Sequence, residues 1–230
     1  MAHPATVPST LTGWLQGLMW AAGGMAVITG VVALVALNAF EDYRDAGIGT
    51  ALERHAYDTW TDRHDTFGAI NAVLSMLWIG MFVVTIVWMN KAHKTTQRLW
   101  RGSRKWTSGW TVGGWFIPFA NFVIPKKVLN EIERIATAPR TGGVVGSGWR
   151  QESTSALGWL WWIGFSLSIV FRTIGTGLLG DLTGPDDDIT AGYTTQAIGS
   201  FLTVAAMPFG ALYIRGLARR LSPQGIAQTP

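Results

Sequence analysis

Residues 15–40 read LQGLMWAAGGMAVITGVVALVALNAF, and none of these 26 side chains is ionisable. About 20 apolar residues in an α-helix cross the hydrocarbon core of a bilayer, so this run predicts a membrane-spanning helix. A cleaved signal peptide is the alternative interpretation. It is disfavoured because no Lys or Arg precedes the run, and because the run is longer than the apolar part of a typical signal peptide.

Three further apolar runs predict three further spans. Residues 67–89 carry no charge, residues 156–179 are interrupted only by Arg172, and residues 193–214 end against Arg215. The chain is 48% hydrophobic and 14% charged, whereas charged residues make up roughly 25% of an average soluble domain. We therefore predict an all-α, polytopic membrane protein with four transmembrane helices. The absence of cysteine excludes disulfides and cysteine-ligated zinc or iron–sulfur sites.

The distribution of Lys and Arg predicts the orientation. Residues 41–66 hold seven acidic residues against three arginines, whereas residues 91–155 hold eleven Lys and Arg. Three more arginines follow the fourth run. Cytoplasmic loops carry the excess of basic residues, so we predict a bacterial inner-membrane protein with both termini in the cytoplasm.

Residues 106–125, WTSGWTVGGWFIPFANFVIP, are long enough for a fifth span, but two features argue against one. A fifth crossing would place the following basic residues outside, and Pro118 and Pro125 oppose a continuous helix. We predict a re-entrant or interfacial segment and leave open which of the two it is. Residues 126–138 then place apolar residues at helical spacing, which predicts an amphipathic helix on the cytoplasmic side.

The predicted domain organisation is simple. Residues 1–14 form a cytoplasmic N-terminal segment, residues 15–220 a single membrane domain, and residues 221–230 a cytoplasmic tail. Arg172 is the one ionisable residue within a predicted span, and Asn71 and Asn38 are candidate partners because they lie at similar depth. Outward snorkelling or a role in a polar pathway are its two interpretations.

The string GGWFIPFANFVIPKKVLNEIER carries Trp115, Pro118, Asn121, Pro125 and Glu131. This pattern resembles the signature of a bacterial, mainly actinobacterial, membrane family known as domain of unknown function 4328. The resemblance covers about residues 67–220 and implies an intact multi-span domain in a bacterial inner membrane. It implies no activity. We treat these five residues as the candidate structural or functional centre.

Chemistry-bearing patterns are otherwise weak. The acidic and histidine residues of the outer loop match no metal-binding spacing, and no nucleophile–base set is placed for catalysis, so we expect no metal, no cofactor and no enzymatic activity. The basic residues flanking the spans predict contact with anionic lipid headgroups rather than nucleic acid. The residues expected to face lipid in this way are Lys91, Lys94, Arg98, Arg101, Lys126 and Lys127.

Three classes of function follow from the sequence. An accessory, assembly or interaction subunit of an envelope complex is favoured, with a membrane-protein partner or a second copy of the chain beside it. A small permease or channel-like component, with residues 106–125 lining the site, is the alternative. An intramembrane enzyme ranks third, because no acid, base or metal set falls inside a span.

Overall fold

The computed structural model describes residues 7–46, 49–141 and 144–222. Six α-helices dominate the described chain, together with two short 3₁₀ turns, Ala120–Phe122 and Ser147–Gln151, and a two-residue antiparallel ladder, β1 (Arg140–Thr141) with β2 (Val144–Val145). The helices are α1 (Ser9–Asp45), α2 (Ala51–Leu99), α3 (Trp110–Gly113), α4 (Ile124–Thr137), α5 (Ala156–Leu178) and α6 (Asp186–Arg220). Residues 1–6 of the predicted N-terminal segment and 223–230 of the predicted tail lie outside the described residues.

Four of these helices, α1, α2, α5 and α6, are long and apolar enough to span a membrane. The prediction of an all-α polytopic membrane fold with four spans is therefore confirmed. The first two helices are longer than their apolar runs, because α1 ends at Asp45 and α2 begins at Ala51. Most of the acidic loop expected between the first two spans is therefore helix. A helix keeps its backbone hydrogen bonds as it leaves the bilayer, so hydropathy marks the crossing and not the helix end.

The chain groups into two compact units, and each long helix contributes to both. Unit one comprises residues 1–19, 80–162 and 209–230, and unit two comprises residues 20–79 and 163–208. A single membrane domain over residues 15–220 stays a prediction.

Unit two is packed through small and aromatic residues. Ala33, Ala36 and Phe40 of α1 are buried in one cluster with Trp60 of α2 and Tyr193 of α6. The Phe40 and Trp60 rings lie 5.1 Å apart. Alanine at these positions lets helix backbones approach closely, as is usual at helix contacts in membranes.

Unit one is packed around α4. Nine of its 14 residues are buried, including the apolar residues Val128, Leu129, Ile132 and Ile135. The sequence predicted an amphipathic helix over residues 126–138, and α4 covers most of that range. Glu131 and Glu133 are also buried, because they meet partners on other segments.

The segment before α4 is irregular, as the two prolines predict. Helix α3 has four residues, and the chain turns at Phe119, whose φ is +61° and whose side chain is 86% exposed. Pro125 then occupies the first turn of α4, where its missing N–H leaves no intrahelical bond unmade. The segment forms no membrane-spanning helix.

Candidate functional site

Trp115 anchors the irregular segment within unit one. Its side chain is 6% exposed and meets the rings of Phe82 at 5.1 Å and Trp162 at 5.6 Å in edge-to-face contacts. The indole N–H of Trp162 donates to the carbonyl oxygen of Phe122 at 2.7 Å. These contacts fix a backbone that has few helical hydrogen bonds of its own.

Pro118 and Asn121 were expected to share one centre with Trp115, Pro125 and Glu131, but the five residues differ in burial. Pro118 is exposed, and the amide oxygen of Asn121 is buried without a hydrogen-bond donor among the described residues. Of the five candidate residues, Trp115, Pro125 and Glu131 are buried in unit one.

Glu131 forms the buried ion pair of the site. Its carboxylate accepts from Arg104 Nε at 3.0 Å and from the backbone N–H of Lys105 at 3.1 Å, and the two charged side chains are 9% and 6% exposed. Arg104 also donates to the carbonyl oxygen of His93 and to Thr96 Oγ1. Burial lowers the pKa of Arg104, and the carboxylate of Glu131 acts in the opposite direction. The pair ties α4 to the end of α2.

Lys126 was expected to face lipid, and this expectation is wrong. Its side chain is 2% exposed, and Nζ lies 4.7 Å from the ring centre of Trp159 and 5.3 Å from that of Tyr213. Burial lowers its pKa from 10.5 to about 8, opposed by the charge of Glu133. The positive charge of Lys126 beside the membrane predicted contact with headgroups, but α5 and α6 supply aromatic rings that cover this side chain.

Glu133 is the second buried carboxylate of α4. It accepts from the backbone N–H of Ser155 at 2.8 Å and from the hydroxyl of Tyr213 at 3.1 Å. It therefore joins α4 to the start of α5 and to the end of α6. The remaining basic residues expected to face lipid are exposed, and their contact with headgroups stays a prediction; they are Lys91, Lys94, Arg98, Arg101 and Lys127.

A cavity of 320 Å³ lies beside the polar side of α4. We call it the α4 pocket. Asn130 and Glu131 form part of its wall, and the other lining residues are Lys105, Trp106, Lys127, Arg134, Trp149 and Arg150. Sequence reasoning singled out Lys127 and Glu131 but missed the others. The available signal is the density of Arg, Lys and Trp between the second and third spans, which predicts orientation and headgroup contact but no pocket.

Arg172 lies in unit two and has the partner predicted for it. Its Nη2 donates to Asn71 Oδ1 at 2.7 Å, and Nη1 lies 3.4 Å from Ser200 Oγ. Asn38 instead donates to Asp42. A cavity of 330 Å³ beside Arg172 is lined by Ser75, Trp78, Ile79, Ile169, Thr173 and Thr176.

The histidine and acidic residues between positions 53 and 65 lie along α2. His64 Nδ1 is 2.6 Å from the hydroxyl of Tyr193, which also accepts from Trp60 Nε1 at 3.2 Å. This histidine therefore has a packing role within unit two. Among the described residues, no group of three or more His, Asp or Glu side chains is arranged to hold a metal ion.

Comparison with known proteins gives one match. The model of a family described as Domain of unknown function (DUF4328) matches residues 50–219. No curated protein and no solved structure matches the chain. The matched range begins earlier than the resemblance seen in the sequence and leaves α1 outside it.

Proposed function

Since the chain belongs to this family of unknown function, we propose from its geometry that it is a non-enzymatic accessory or interaction subunit of an envelope complex. The protein is a multi-pass membrane protein. The placement in an inner membrane, with both termini in the cytoplasm, belongs to the proposal and is supported by the Lys and Arg distribution.

The observation that carries the proposal is the bare apolar side of α2. In the most apolar 18-residue stretch of each helix, 17% of α2 is buried against 56% of α6. Met76 and Ile79, one turn apart, are 70% and 66% exposed. Among the four spans, the most apolar stretch of α2 is the one least covered by the rest of the described chain, which leaves it open to a neighbour in the bilayer.

The contacts of three ionisable side chains with other parts of the protein support a structural role for these side chains. Glu131 is neutralised by Arg104, Glu133 is held by a hydroxyl and a backbone N–H, and Arg172 is held by amide and hydroxyl oxygens. A catalytic site needs an acid or base that faces a substrate cavity within hydrogen-bond reach of a second group. These contacts instead join one helix to another.

Photo-cross-linking tests the proposal at single residues. A cross-linkable residue at Met76 or Ile79 of the full chain in cells is expected to give one discrete protein adduct. Matched controls at Ile163 and Leu167 of α5, which are 51% and 44% exposed, are expected to give none. The same partner is expected to co-purify in fixed stoichiometry after extraction in a mild detergent. Equal adducts from both helices, or a monomer without a partner, would contradict an accessory role.

A small permease is the second candidate, and the cavity beside Arg172 favours it. The cavity combines a cation with the hydroxyls of Ser75, Thr173 and Thr176 at membrane depth, which suits a small anion or polar solute. Anion flux into liposomes that contain the purified chain tests this function. Flux that falls in Thr173→Val and Thr176→Val, with the thermal midpoint unchanged, would favour the permease over the accessory subunit.

A further inference from the structure

The α4 pocket carries a strong positive charge for its size. Lys105, Lys127, Arg134 and Arg150 line it, and the one acid in its wall, Glu131, is neutralised by Arg104. The pocket lies within unit one, and its volume of 320 Å³ is at the lower end of the range for small-molecule sites. Four cations around one small cavity repel one another unless an anion is bound between them.

Two buried donors of the pocket have no acceptor among the described residues. These are the Nε–H of Arg134 and the indole N–H of Trp149, whose side chain is 5% exposed. A buried donor without an acceptor costs about 1–3 kcal/mol, so native sites normally supply one. Arg134 Nη1 makes a long contact of 3.4 Å to the carbonyl oxygen of Arg150, which leaves its guanidinium free to form a bidentate contact.

Aromatic rings hold the cations in position around the cavity. The guanidinium of Arg150 lies 4.8 Å from the ring centre of Trp149, and its Nη2 donates to the carbonyl oxygen of Ser103 at 3.0 Å. Lys105 Nζ lies 5.8 Å from the ring centre of Trp106. Side chains fixed in this way lose little freedom when they bind a ligand, so the pocket is preorganised.

The chemistry of these donors selects a phosphate group. Arginine guanidinium matches the oxygens of a phosphate with parallel hydrogen bonds, and an indole N–H and ammonium groups complete the set. The amide oxygen of Asn130, buried without a donor among the described residues, offers an acceptor for a hydroxyl beside the phosphate.

The position of the pocket in the chain identifies the source of that phosphate. The pocket residues follow α2 and precede α5, so they lie where two spans leave the bilayer. The intervening segment exposes Phe116 and Phe119, at 67% and 86%, as apolar groups for the membrane. We propose that the α4 pocket binds the phosphate headgroup of an anionic phospholipid, with Arg134, Arg150 and Trp149 as its principal donors.

Native mass spectrometry of the full chain in detergent tests the proposal with short-chain phosphatidylglycerol as the probe. The charge-reducing pair Arg134→Gln and Arg150→Gln is expected to weaken binding at least tenfold. The matched control, Arg54→Gln with Arg63→Gln, removes the same charge from exposed residues of α2 outside the pocket and is expected to change binding less than twofold. Phosphatidylcholine is expected to bind at least tenfold more weakly to the unmodified chain.

Two further variants keep the test independent of folding defects. Lys127→Gln alters an exposed lining residue, and Trp149→Phe removes the unpaired N–H while keeping most of the ring. Each is expected to weaken binding about threefold to tenfold. Equal losses in the pocket and control pairs, or equal binding of both lipids, would overturn the proposal. Glycerol phosphate or inorganic phosphate that displaces the lipid at equal concentration would instead assign the pocket to a soluble phosphate and overturn the lipid as its source.

Discussion

Replacement of Glu131 by Leu is expected to destabilise the protein by about 3–5 kcal/mol, because it leaves the charge of Arg104 buried without its counterion. The guanidinium is 9% exposed, and its Nη2 already lacks an acceptor among the described residues. The substitution also removes the acceptor of the Lys105 N–H. Replacement of Arg104 by Met is expected to cost a similar amount, because the carboxylate of Glu131 then stays buried with one backbone donor.

The double substitution distinguishes the ion pair from two independent contacts. With both charges absent, the main remaining defect is the Lys105 N–H without an acceptor, which costs about 1–3 kcal/mol. The double variant is therefore expected to be more stable than either single variant. The measurement is the free energy of unfolding in mixed micelles, obtained for the four members of the cycle. Costs that add, with the double variant the least stable, would refute the idea that burial of an unpaired charge sets the penalty.

Three other substitutions test the packing of the two units. Lys126→Met is expected to raise the unfolding free energy by on the order of 3 kcal/mol at pH 7. The folded pKa of about 8 lies below the unfolded value of 10.5, so the unfolded chain binds more protons and this advantage disappears as the pH rises between them. Thermal midpoints of the variant and the unmodified chain at pH 7 and pH 10.5 measure this advantage. A difference in midpoint that is the same at both pH values would contradict the buried charge. Gly210→Ala places a methyl group 2.6 Å from the indole of a tryptophan on α5 and is expected to lower the free energy of unfolding by about 1–3 kcal/mol. Gly216→Ala, with nothing within 4 Å, is the control in the same helix. Equal thermal midpoints for the two variants would show that the ring moves aside. Tyr193→Phe removes the acceptor of a buried tryptophan N–H and is expected to lower the free energy of unfolding by about 1–3 kcal/mol. Tyr57→Phe, at an exposed position, is the control and is expected to change the thermal midpoint little. An unchanged midpoint for Tyr193→Phe would show that the hydrogen bond contributes nothing.

The spans could be predicted from sequence because the bilayer sets one length for every crossing. An apolar run of 20 or more residues is rarely anything but a membrane-spanning helix, and the four runs correspond to four helices. The partner of Arg172 was predictable for the same reason, since helix geometry converts position in the chain into depth. Asn71 lies at the depth of Arg172, and the hydrogen bond joins them.

The candidate site could be predicted only in part, because its contacts depend on which segments meet outside the spans. Periodicity predicts α4 and its apolar residues, but nothing in the local sequence indicates that aromatic residues of α5 and α6 cover Lys126. Arg104 enters the prediction of orientation and Glu131 the candidate centre, but the sequence does not predict that the two form a pair. Their pairing follows from the turn after α2, which brings residue 104 back to α4, and no local pattern encodes that return.

Helix α1 packs against helices that the family model matches, although the model does not match α1 itself. Helix α1 lies outside residues 50–219, yet Gln16 donates to the carbonyl oxygen of Ala211 at 2.9 Å and Thr12 accepts from the indole of Trp88 at 3.1 Å. Both bonds join α1 to another long helix within unit one. In unit two, the buried alanines of α1 pack in the cluster of Trp60. The first helix therefore packs against other helices of this chain in both units, although the matched range does not include it.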